Sequence, residues 1–236
     1  MDGRANKLKP SIIAIDGPAA SGKSTLAKRL SEELGYLYFD TGVMYRAITW
    51  AVLDKEIDPN DMAHVVTLAE TSIMDVLPPS IEDGRDSDVK LNGQDITWEI
   101  RKPAVDANVS IVSAYPGVRV ALTAQQRRIG QRGEVVMVGR DIGTIVLPDA
   151  DLKIFLDASA EERAYRRHLE MQNRGEKVTY QLVLDMMKMR DRIDSTRDIA
   201  PLRAAEDAVV VDSDALSIEQ VYGEVKKIVN QWKADN

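Results

Sequence analysis

A glycine-rich loop between an apolar strand and an amphipathic helix constrains this chain more than any other part of its sequence. Residues 12–15 form a short apolar run typical of a buried strand, and residues 17–24 read GPAASGKS. Leucine and alanine then recur with helical spacing through residue 34. This order is the one that a phosphate-binding loop requires, and it disfavours the alternative of an ordinary glycine-rich turn. We therefore predict a nucleoside-triphosphate site.

Each part of this loop has a chemical role. Gly17 and Gly22 allow backbone angles and a close approach that a side chain would block. The N–H groups of the loop and the N-terminus of the helix would then point at one phosphate. Lys23 is placed to reach the β and γ phosphates, and the Ser24 hydroxyl to hold Mg²⁺. The predicted nucleotide-binding residues are Gly17, Pro18, Ala19, Ala20, Ser21, Gly22, Lys23, Ser24 and Thr25.

Composition excludes several classes of protein. The 236 residues carry a formal net charge of −7, which disfavours a general nucleic-acid-binding role. The chain has no cysteine, so it has no disulfide framework, zinc–thiolate site or thiol nucleophile. No apolar run approaches the length of a membrane span, and residues 1–10 lack the apolar stretch of a signal peptide. We expect a cytoplasmic protein that binds neither membranes nor nucleic acid.

The alternation of strands and helices indicates an α/β fold with one interruption. Helical patterns follow apolar strand-like runs along most of the chain, as in a parallel sheet flanked by helices. Residues 58–101 are β-rich instead, and Asn92-Gly93 lies where a two-residue hairpin turn is expected. We predict a P-loop NTPase-type core at residues 11–57 and 102–236. The insert at residues 58–101 is either a substrate-side lobe or a decoration of the core.

Two arginine-rich helices at about residues 160–200 predict a helical lid. Ser159-x-x-Glu162 reads as a capping box that opens the first helix, and Gly175 lies near its expected end. Charged helix faces are usually just exposed to solvent, which is the alternative to a lid. The apolar residues of the second helix are expected to pack against their neighbours: Leu182, Leu184, Met186 and Met189.

The polar residues outside the loop favour a small-molecule kinase. Arg140 and Asp141 follow a buried strand at residues 134–138, and open α/β sheets bind ligands at the carboxyl ends of their strands. Phosphoryl transfer depends mostly on positioning and on neutralising negative charge. No guanine-specificity motif of the Asn-Lys-x-Asp kind is present. Arginines from several separate elements offer the required charge: Arg46, Arg119, Arg140, Arg190 and Arg197.

Several separated motifs carry a resemblance to a known family. They are IDGP at 15–18 with the loop, DTG-x-x-YR at 40–46, GRDIGT at 139–144, KIFLDA at 153–158, EERA-x-RR at 161–167, RD-x-x-D-x-x-R at 190–197, APL at 200–202 and A-x-DA-x-x-x-D at 205–212. In these motifs, and over nearly its whole length, the chain resembles the bacterial cytidylate kinases, which are (d)CMP kinases among the nucleoside monophosphate kinases. The insert resembles the enlarged monophosphate-binding lobe of that family.

The resemblance implies ATP-dependent phosphorylation of CMP and dCMP to CDP and dCDP with Mg²⁺, by a monomer. The implied catalytic residues are Lys23, Arg140, Arg166 and Arg197, and the implied lid contacts to ATP phosphates come from Arg163, Arg166 and Arg167. In the acceptor site, Arg46, Arg140 and Arg197 would hold the CMP phosphate, Thr41 and Tyr45 would line its pocket, Arg190 and Asp194 would meet the sugar, and Ser110, Arg119 and Asp141 would read the base.

The implied base-reading residues fit cytosine chemically. A carboxylate such as Asp141 can accept a hydrogen bond from the N4 amino group, while Arg119 donates to N3 and O2. Uracil reverses the polarity at N3 and at position 4, so buried partners would be left unpaired. This pairing disfavours a UMP or AMP kinase, and the large insert disfavours a shikimate kinase. A regulatory module that binds ATP without transferring phosphate is the alternative of a different class.

One position departs from the family's pattern. The family usually has an acidic residue immediately before Gly-Arg-Asp, and this chain has Val138. That acid would lie where it helps to hold water on Mg²⁺. The sequence leaves open whether Ser24 and the triphosphate suffice without it or Asp16 helps, and no role is assigned to Asp16.

Overall fold

The computed structural model describes residues 9–232. Its main sheet has five strands: β1 (Ile12–Asp16), β2 (Leu37–Asp40), β6 (Val135–Gly139), β7 (Leu152–Asp157) and β8 (Val209–Asp212). All of their pairings are parallel, in the order β2-β6-β1-β7-β8. A second, antiparallel sheet contains β3 (Met74–Leu77), β4 (Asp88–Leu91) and β5 (Gln94–Asp95). The predicted α/β fold class, with a β-rich insert, is confirmed.

Eight α-helices and two shorter turns connect these strands in the described part of the chain. The helices are α1 (Lys23–Leu34), α2 (Gly42–Asp54), α3 (Met62–Thr71), α4 (Pro103–Ala114), α5 (Pro116–Gly130), α6 (Ala160–Asn173), α7 (Tyr180–Thr196) and α8 (Ile218–Gln231). A 3₁₀ turn spans Glu99–Arg101 and a π-helical turn spans Ile142–Val146. None of these helices is long and apolar enough to cross a membrane.

Both faces of the main sheet are buried, as expected for parallel strands. Ile13 and Ile15 of β1 point to one face, where they pack with Val138 and with side chains of α1 and α8. Ala14 points to the other face and joins a larger core that includes Met137 and residues of α2, α4, α5 and the insert. The strand alternation thus fixes which helices lie on each side of the sheet.

The sheet order brings the predicted site residues to one edge. β1 is flanked by β6 and β7, and the three strands are in register. The Gly17 loop follows β1, while Arg140 and Asp141 follow β6, so both loops leave adjacent strands at their carboxyl ends. In an open α/β sheet, ligands usually bind outside the carboxyl ends of two adjacent strands whose following connections run to opposite faces of the sheet.

The insert has the hairpin that its sequence predicts, and a charged centre besides. Asn92 and Gly93 both have positive φ, at 49° and 84°, as a type I′ turn between β4 and β5 requires. A guanidinium from the preceding loop lies buried among three carboxylates. This is Arg85, which pairs with Asp83 at 2.8 Å, Asp88 at 2.9 Å and Asp95 at 2.7 Å.

Two expectations for the lid helices are corrected by the structure. Ser159 accepts a hydrogen bond from the Glu162 N–H at 3.2 Å, but the Glu162 carboxylate pairs with Arg166 instead of returning to Ser159. Only half of the predicted capping box forms. In α7, Leu184 is buried as expected, whereas Leu182, Met186 and Met189 are exposed. The prediction that these three pack was wrong, because α7 forms its small apolar core with α6 and the three side chains lie outside that core.

Part of the N-terminal segment lies outside the described residues. The expectation that residues 1–10 contain no signal peptide falls mostly on residues 1–8, which the structure does not describe. Residues 233–236 are likewise outside the described range.

Candidate functional site

One cavity of about 910 Å³ opens at the carboxyl edge of the main sheet. It brings together most of the residues predicted from sequence. Those that line it are Ala19, Ala20, Ser21, Gly22, Lys23, Ser24, Thr25, Thr41, Tyr45, Arg46, Ser110, Arg119, Arg140, Asp141, Arg166, Arg167, Arg190, Asp194 and Arg197. The predicted residues that do not line it are Gly17, Pro18 and Arg163.

The glycines of the loop are needed for different reasons. Gly17 has a φ of +149°, and a Cβ at this position would lie 2.1 Å from the carbonyl oxygen of Leu156 in β7. Any side chain would therefore push the loop away from the sheet. Gly22 has a φ of +92° at the N-cap of α1, a conformation that L-residues with a Cβ rarely adopt. Together they set the loop close to the sheet and turn it into the helix.

Lys23 lies buried at the centre of a group of cations. Its Nζ donates hydrogen bonds to the Pro18 carbonyl at 2.5 Å and to the Ser21 hydroxyl at 3.3 Å. Burial lowers the pKa of Lys23 well below its ordinary value, and the positive charges of Arg140 and Arg190 lower it further. Burial and the charge of Arg140 also lower the pKa of Arg190. An anionic ligand would relieve this repulsion.

The acceptor side of the cavity contains interlocked arginines and carboxylates. Arg140 donates to Asp194 at 2.9 Å, while Arg197 lies 3.4 Å from both Asp194 and Asp141. Arg119 reaches Asp141 from α5 at 3.5 Å. Burial raises the pKa of Asp141, and the positive charges of the arginines oppose that shift. These contacts place the predicted base-reading and phosphate-binding groups side by side.

The remaining predicted acceptor residues are Thr41 at the N-cap of α2, Tyr45 and Arg46 on α2, Ser110 on α4 and Arg190 on α7. The Thr41 hydroxyl donates to the Val138 carbonyl at 3.0 Å, which ties β2 to β6. Arg46 donates to the Ile100 carbonyl at 2.9 Å and to Asp106 at 2.6 Å. The Arg119 guanidinium lies 5.4 Å from the centre of the Tyr45 ring. Arg46 lines the cavity, so a phosphate bound there would compete with Asp106 for its guanidinium group.

The three lid arginines have different surroundings. Arg163 is buried and donates to the Ala19 carbonyl at 3.1 Å while it pairs with Asp191 of α7. Arg166 donates to the Ser213 carbonyl at 2.6 Å, and Arg167 pairs with Glu170 at 2.7 Å. Arg166 and Arg167 thus line the cavity, whereas Arg163 joins the phosphate-binding loop to the lid. Contact of these residues with ATP phosphates stays a prediction.

Comparison with known proteins identifies the family. The family model described as cytidylate kinase matches residues 13–231. The chain belongs to the cytidylate kinase family. It is 52% identical over 213 residues to the cytidylate kinase of Herpetosiphon aurantiacus, covering 90% of this chain and 91% of that protein. It is 53% identical over 213 residues to the cytidylate kinase of Roseiflexus castenholzii, covering 90% of each.

A third relative in this family has two functions in one chain. The bifunctional pantoate ligase/cytidylate kinase of Prochlorococcus marinus is 50% identical over 211 residues. These residues are 89% of this chain and 43% of that protein.

Two polar cavity residues to which the sequence analysis gave no role stand out in this member of the cytidylate kinase family: Asp40 and Gln126. Asp40, at the end of β2, accepts a hydrogen bond from the Ser24 hydroxyl at 3.2 Å. Its place in the motif at 40–46 was a signal that pointed to it. Gln126 lies on α5, seven residues after Arg119, and is buried against the cavity. Two helical turns separate these residues, so the spacing could have shown that they share a face.

Asp16 links the two loops of the cytidylate kinase site, a role that was not predicted from the sequence. It ends β1, directly before Gly17, and its buried carboxylate accepts hydrogen bonds from the N–H groups of Ile142 at 2.8 Å and Gly143 at 2.7 Å. Burial raises the pKa of Asp16 to about 6, against the lowering effect of these two hydrogen bonds. The phosphate-binding loop, here called the donor loop, is thus joined to the segment that follows Arg140 and Asp141.

The raised pKa of Asp16 predicts a pH-dependent difference in stability. Because the folded protein holds this proton up to about pH 6, the Asp16 carboxyl group destabilises the fold progressively as pH rises from about 4 to 7. The Asp16→Asn variant does not titrate. We expect its free energy of unfolding to rise by about 2 kcal/mol relative to wild type over that range. Urea denaturation of both proteins at several pH values measures this; a constant difference would contradict it.

Proposed function

We propose that this protein transfers the γ-phosphoryl group of ATP to CMP and dCMP, forming CDP and dCDP. The observation that carries the proposal is the single cavity that joins the phosphate-binding loop to a pocket with Arg119 and Asp141 at its wall. Membership of the cytidylate kinase family supports the same activity. The proposed boundaries are a core at residues 11–57 and 102–236, a lid at about 160–200 and a monophosphate-binding insert at 58–101.

The residues next to the loop fit a magnesium ion. Ser24 and Asp40 provide a hydroxyl and a carboxylate 3.2 Å apart at the cavity wall, and Mg²⁺ prefers such oxygen ligands together with substrate phosphates and water. Within the described residues there is no cluster of three or more acidic or histidine side chains that would form an all-protein metal cage. We propose that Ser24 contacts Mg²⁺ and that Asp40 holds one of its waters. The ion, when bound, would neutralise charge on the phosphates.

The protein's own residues would perform the transfer by positioning and charge neutralisation. Lys23 lines the same cavity as Arg140 and Arg197, so its charge can stabilise the phosphoryl group as negative charge spreads over its oxygens. Arg140 and Arg197 would hold the acceptor phosphate, because planar guanidinium groups suit bidentate contact with phosphate. Arg140 contacts Asp194 and Arg197 contacts Asp141 in the structure. These carboxylates would keep the two guanidinium groups oriented before the substrate binds.

A direct assay tests the proposed function. Purified protein is mixed with ATP and Mg²⁺, and ADP formation is measured separately with CMP, dCMP, UMP, AMP and shikimate. We expect turnover with CMP and dCMP and little with the others. Strong turnover with UMP would contradict the base-reading assignment while leaving a kinase. ATP binding without turnover on any acceptor would favour the regulatory alternative.

The departure at Val138 leads to a further prediction. Val138 is 1% exposed, and it pairs in register with Asp40 on the neighbouring strand, so both side chains point to the same face. A carboxylate at this position would lie next to Asp40 and near Ser24. We expect Val138→Asp to keep or raise turnover and to lower the Mg²⁺ concentration for half-maximal activity. It should also lower the melting temperature, because a second acid is buried beside the first.

The control for this variant is Val138→Asn, which has nearly the same shape without the charge. It should share the loss of thermal stability but not the change in Mg²⁺ dependence. Turnover and Mg²⁺ titrations of the three proteins make the comparison. A large loss of turnover in Val138→Asp would count against the assignment of this position to the metal site.

The cytoplasmic location and the monomeric state are proposals that rest on the family resemblance. Size-exclusion chromatography with light scattering would test the second.

A further inference from the structure

Gln126 is a buried polar side chain whose amide nitrogen makes no hydrogen bond within the described part of the fold. It is 2% exposed, it lines the cavity, and its Nε2 has no hydrogen-bond partner among the described residues. Its neighbour Gln125 differs: it accepts from the Met74 N–H at 2.8 Å and donates to the Ser72 carbonyl at 3.0 Å, which fastens the insert to α5. The amide of Gln125 therefore stabilises the fold, whereas the Nε2 of Gln126 has no hydrogen-bond partner among the described residues.

An unpaired buried amide is costly in a folded protein and usually has an explanation. The surroundings of Gln126 point to a ligand. Burial raises the pKa of the Tyr45 hydroxyl, and the charges of Arg119 and Arg197 and the neighbouring Gln126 side chain lower it. The Gln126 amide thus lies among the side chains proposed to meet the acceptor nucleotide. A partner for its N–H groups would come from that nucleotide.

The donors left unpaired in this pocket match the acceptors of cytosine in number. Arg119 Nε, like Gln126 Nε2, is buried without a hydrogen-bond partner among the described residues. The edge of cytosine that carries the N4 amino group also carries two adjacent acceptors, N3 and O2. Asp141 can accept from N4, which leaves two acceptors for two donors. Uracil retains O2, but its N3 is a donor, so one of the buried donors would stay unpaired.

We propose that Gln126 is a further base-reading residue, whose Nε2 donates a hydrogen bond to N3 or O2 of the acceptor cytosine. Arg119 donates a hydrogen bond to the other of these two atoms. The inference deepens the proposed function and rests on it. Gln126 would then determine specificity together with Asp141 and Arg119. Because it contacts the base and not the reacting phosphate, its loss should raise the KM for CMP more than it lowers kcat.

The first test replaces the amide without changing its size. We expect Gln126→Met to raise the KM for CMP about tenfold, the usual effect of losing one buried hydrogen bond, and to leave the KM for ATP within about twofold. Gln126→Glu replaces the donor by an acceptor and should raise the KM for CMP at least as much. This second variant keeps the test decisive if the first does not fold. An unchanged KM for CMP overturns the inference.

Base analogues identify the atom that Gln126 contacts. One analogue is 3-deaza-CMP, which lacks the N3 acceptor, and the other is 2-thio-CMP, in which a weak acceptor replaces O2. For the analogue that lacks the right acceptor, wild type and Gln126→Met should have KM values within about twofold, because the hydrogen bond is already absent. For the other analogue the tenfold difference should persist. A tenfold difference with both analogues overturns the inference.

Gln125→Met is the matched control on the neighbouring residue. It removes hydrogen bonds of the fold, so we expect a lower melting temperature and a KM for CMP within about twofold of wild type. A rise in the KM for CMP equal to that of Gln126→Met would overturn the inference, because the effect would then be structural. If the wild-type protein does not phosphorylate CMP, the proposed function fails. Activity on CMP with an unaffected Gln126→Met variant contradicts this inference alone.

Discussion

Replacing Lys23 with methionine is expected to lower kcat by about a thousandfold, the upper range for loss of one group that stabilises a transition state. Lys23 is the cation that belongs to the donor loop and is also close to Arg140 and Arg190 on the acceptor side. We therefore expect its charge to stabilise the negative charge that develops between the two substrates. Methionine fills the same buried volume without charge. ADP formation at saturating ATP, CMP and Mg²⁺ measures the effect.

The same variant should be more stable than wild type in the absence of ligands. Burial and neighbouring cations lower the pKa of Lys23, so an apolar side chain of similar length removes an unfavourable charge from the free protein. Lys28→Met is the control on the same helix, because Lys28 is half exposed and pairs with Asp86 outside the cavity. We expect its kcat to stay within about twofold of wild type. A Lys23→Met variant that retains a tenth of wild-type turnover would contradict the role given to Lys23.

Asp141→Asn is expected to reduce the preference for CMP over UMP by at least about a hundredfold. The carboxylate can only accept from the N4 amino group of cytosine, whereas an amide can also donate to O4 of uracil. The effect should be a lower kcat/KM for CMP together with a higher value for UMP. Steady-state kinetics with both acceptors at saturating ATP measure the ratio.

Asp194→Asn controls for the loss of charge in the same cluster. Asp194 contacts Arg140 and Arg197, as Asp141 contacts Arg119 and Arg197. Both substitutions remove one negative charge from among the arginines, but Asp194 is assigned to the sugar. We expect Asp194→Asn to reduce kcat/KM for CMP and UMP by similar factors. An equal change of preference in the two variants would show that the total charge, and not contact with N4, sets the selectivity.

The main features of the fold could be predicted from sequence because local patterns determined them. The apolar run before Gly17 allowed only a buried strand, and the Asn92-Gly93 pair required a turn with two positive φ angles. The position of Arg140 and Asp141 after a strand was enough to place them at the edge of a parallel sheet. These are properties of short segments, so one sequence suffices to recognise them.

Contacts between distant segments were not predictable in the same way. The exposure of Met186 and Met189 depends on which helix covers α7, and an apolar side chain does not reveal whether it has a neighbour. Asp16 joins the backbone of Ile142 and Gly143 across 126 and 127 positions of the chain. The difference between Gln125 and Gln126 arises from the orientation of α5 against the insert. The spacing from Arg119 indicates the face on which Gln126 lies, but it does not reveal the hydrogen bonds that Gln125 makes with the insert.

The fit of Gly17 against Leu156 determines which parts of the protein are free to move. Since no room exists for even a methyl group between this loop and β7, the donor loop is a fixed part of the sheet. The hairpin of α6 and α7 is different, because its apolar core contains only Ala164, Val183 and Leu184 as buried residues. Closure of the cavity around two nucleotides would therefore be an approach of this hairpin toward a stationary loop. The insert shares the large core of the sheet, so ATP and the acceptor would both bind to rigid surfaces before the hairpin covers them.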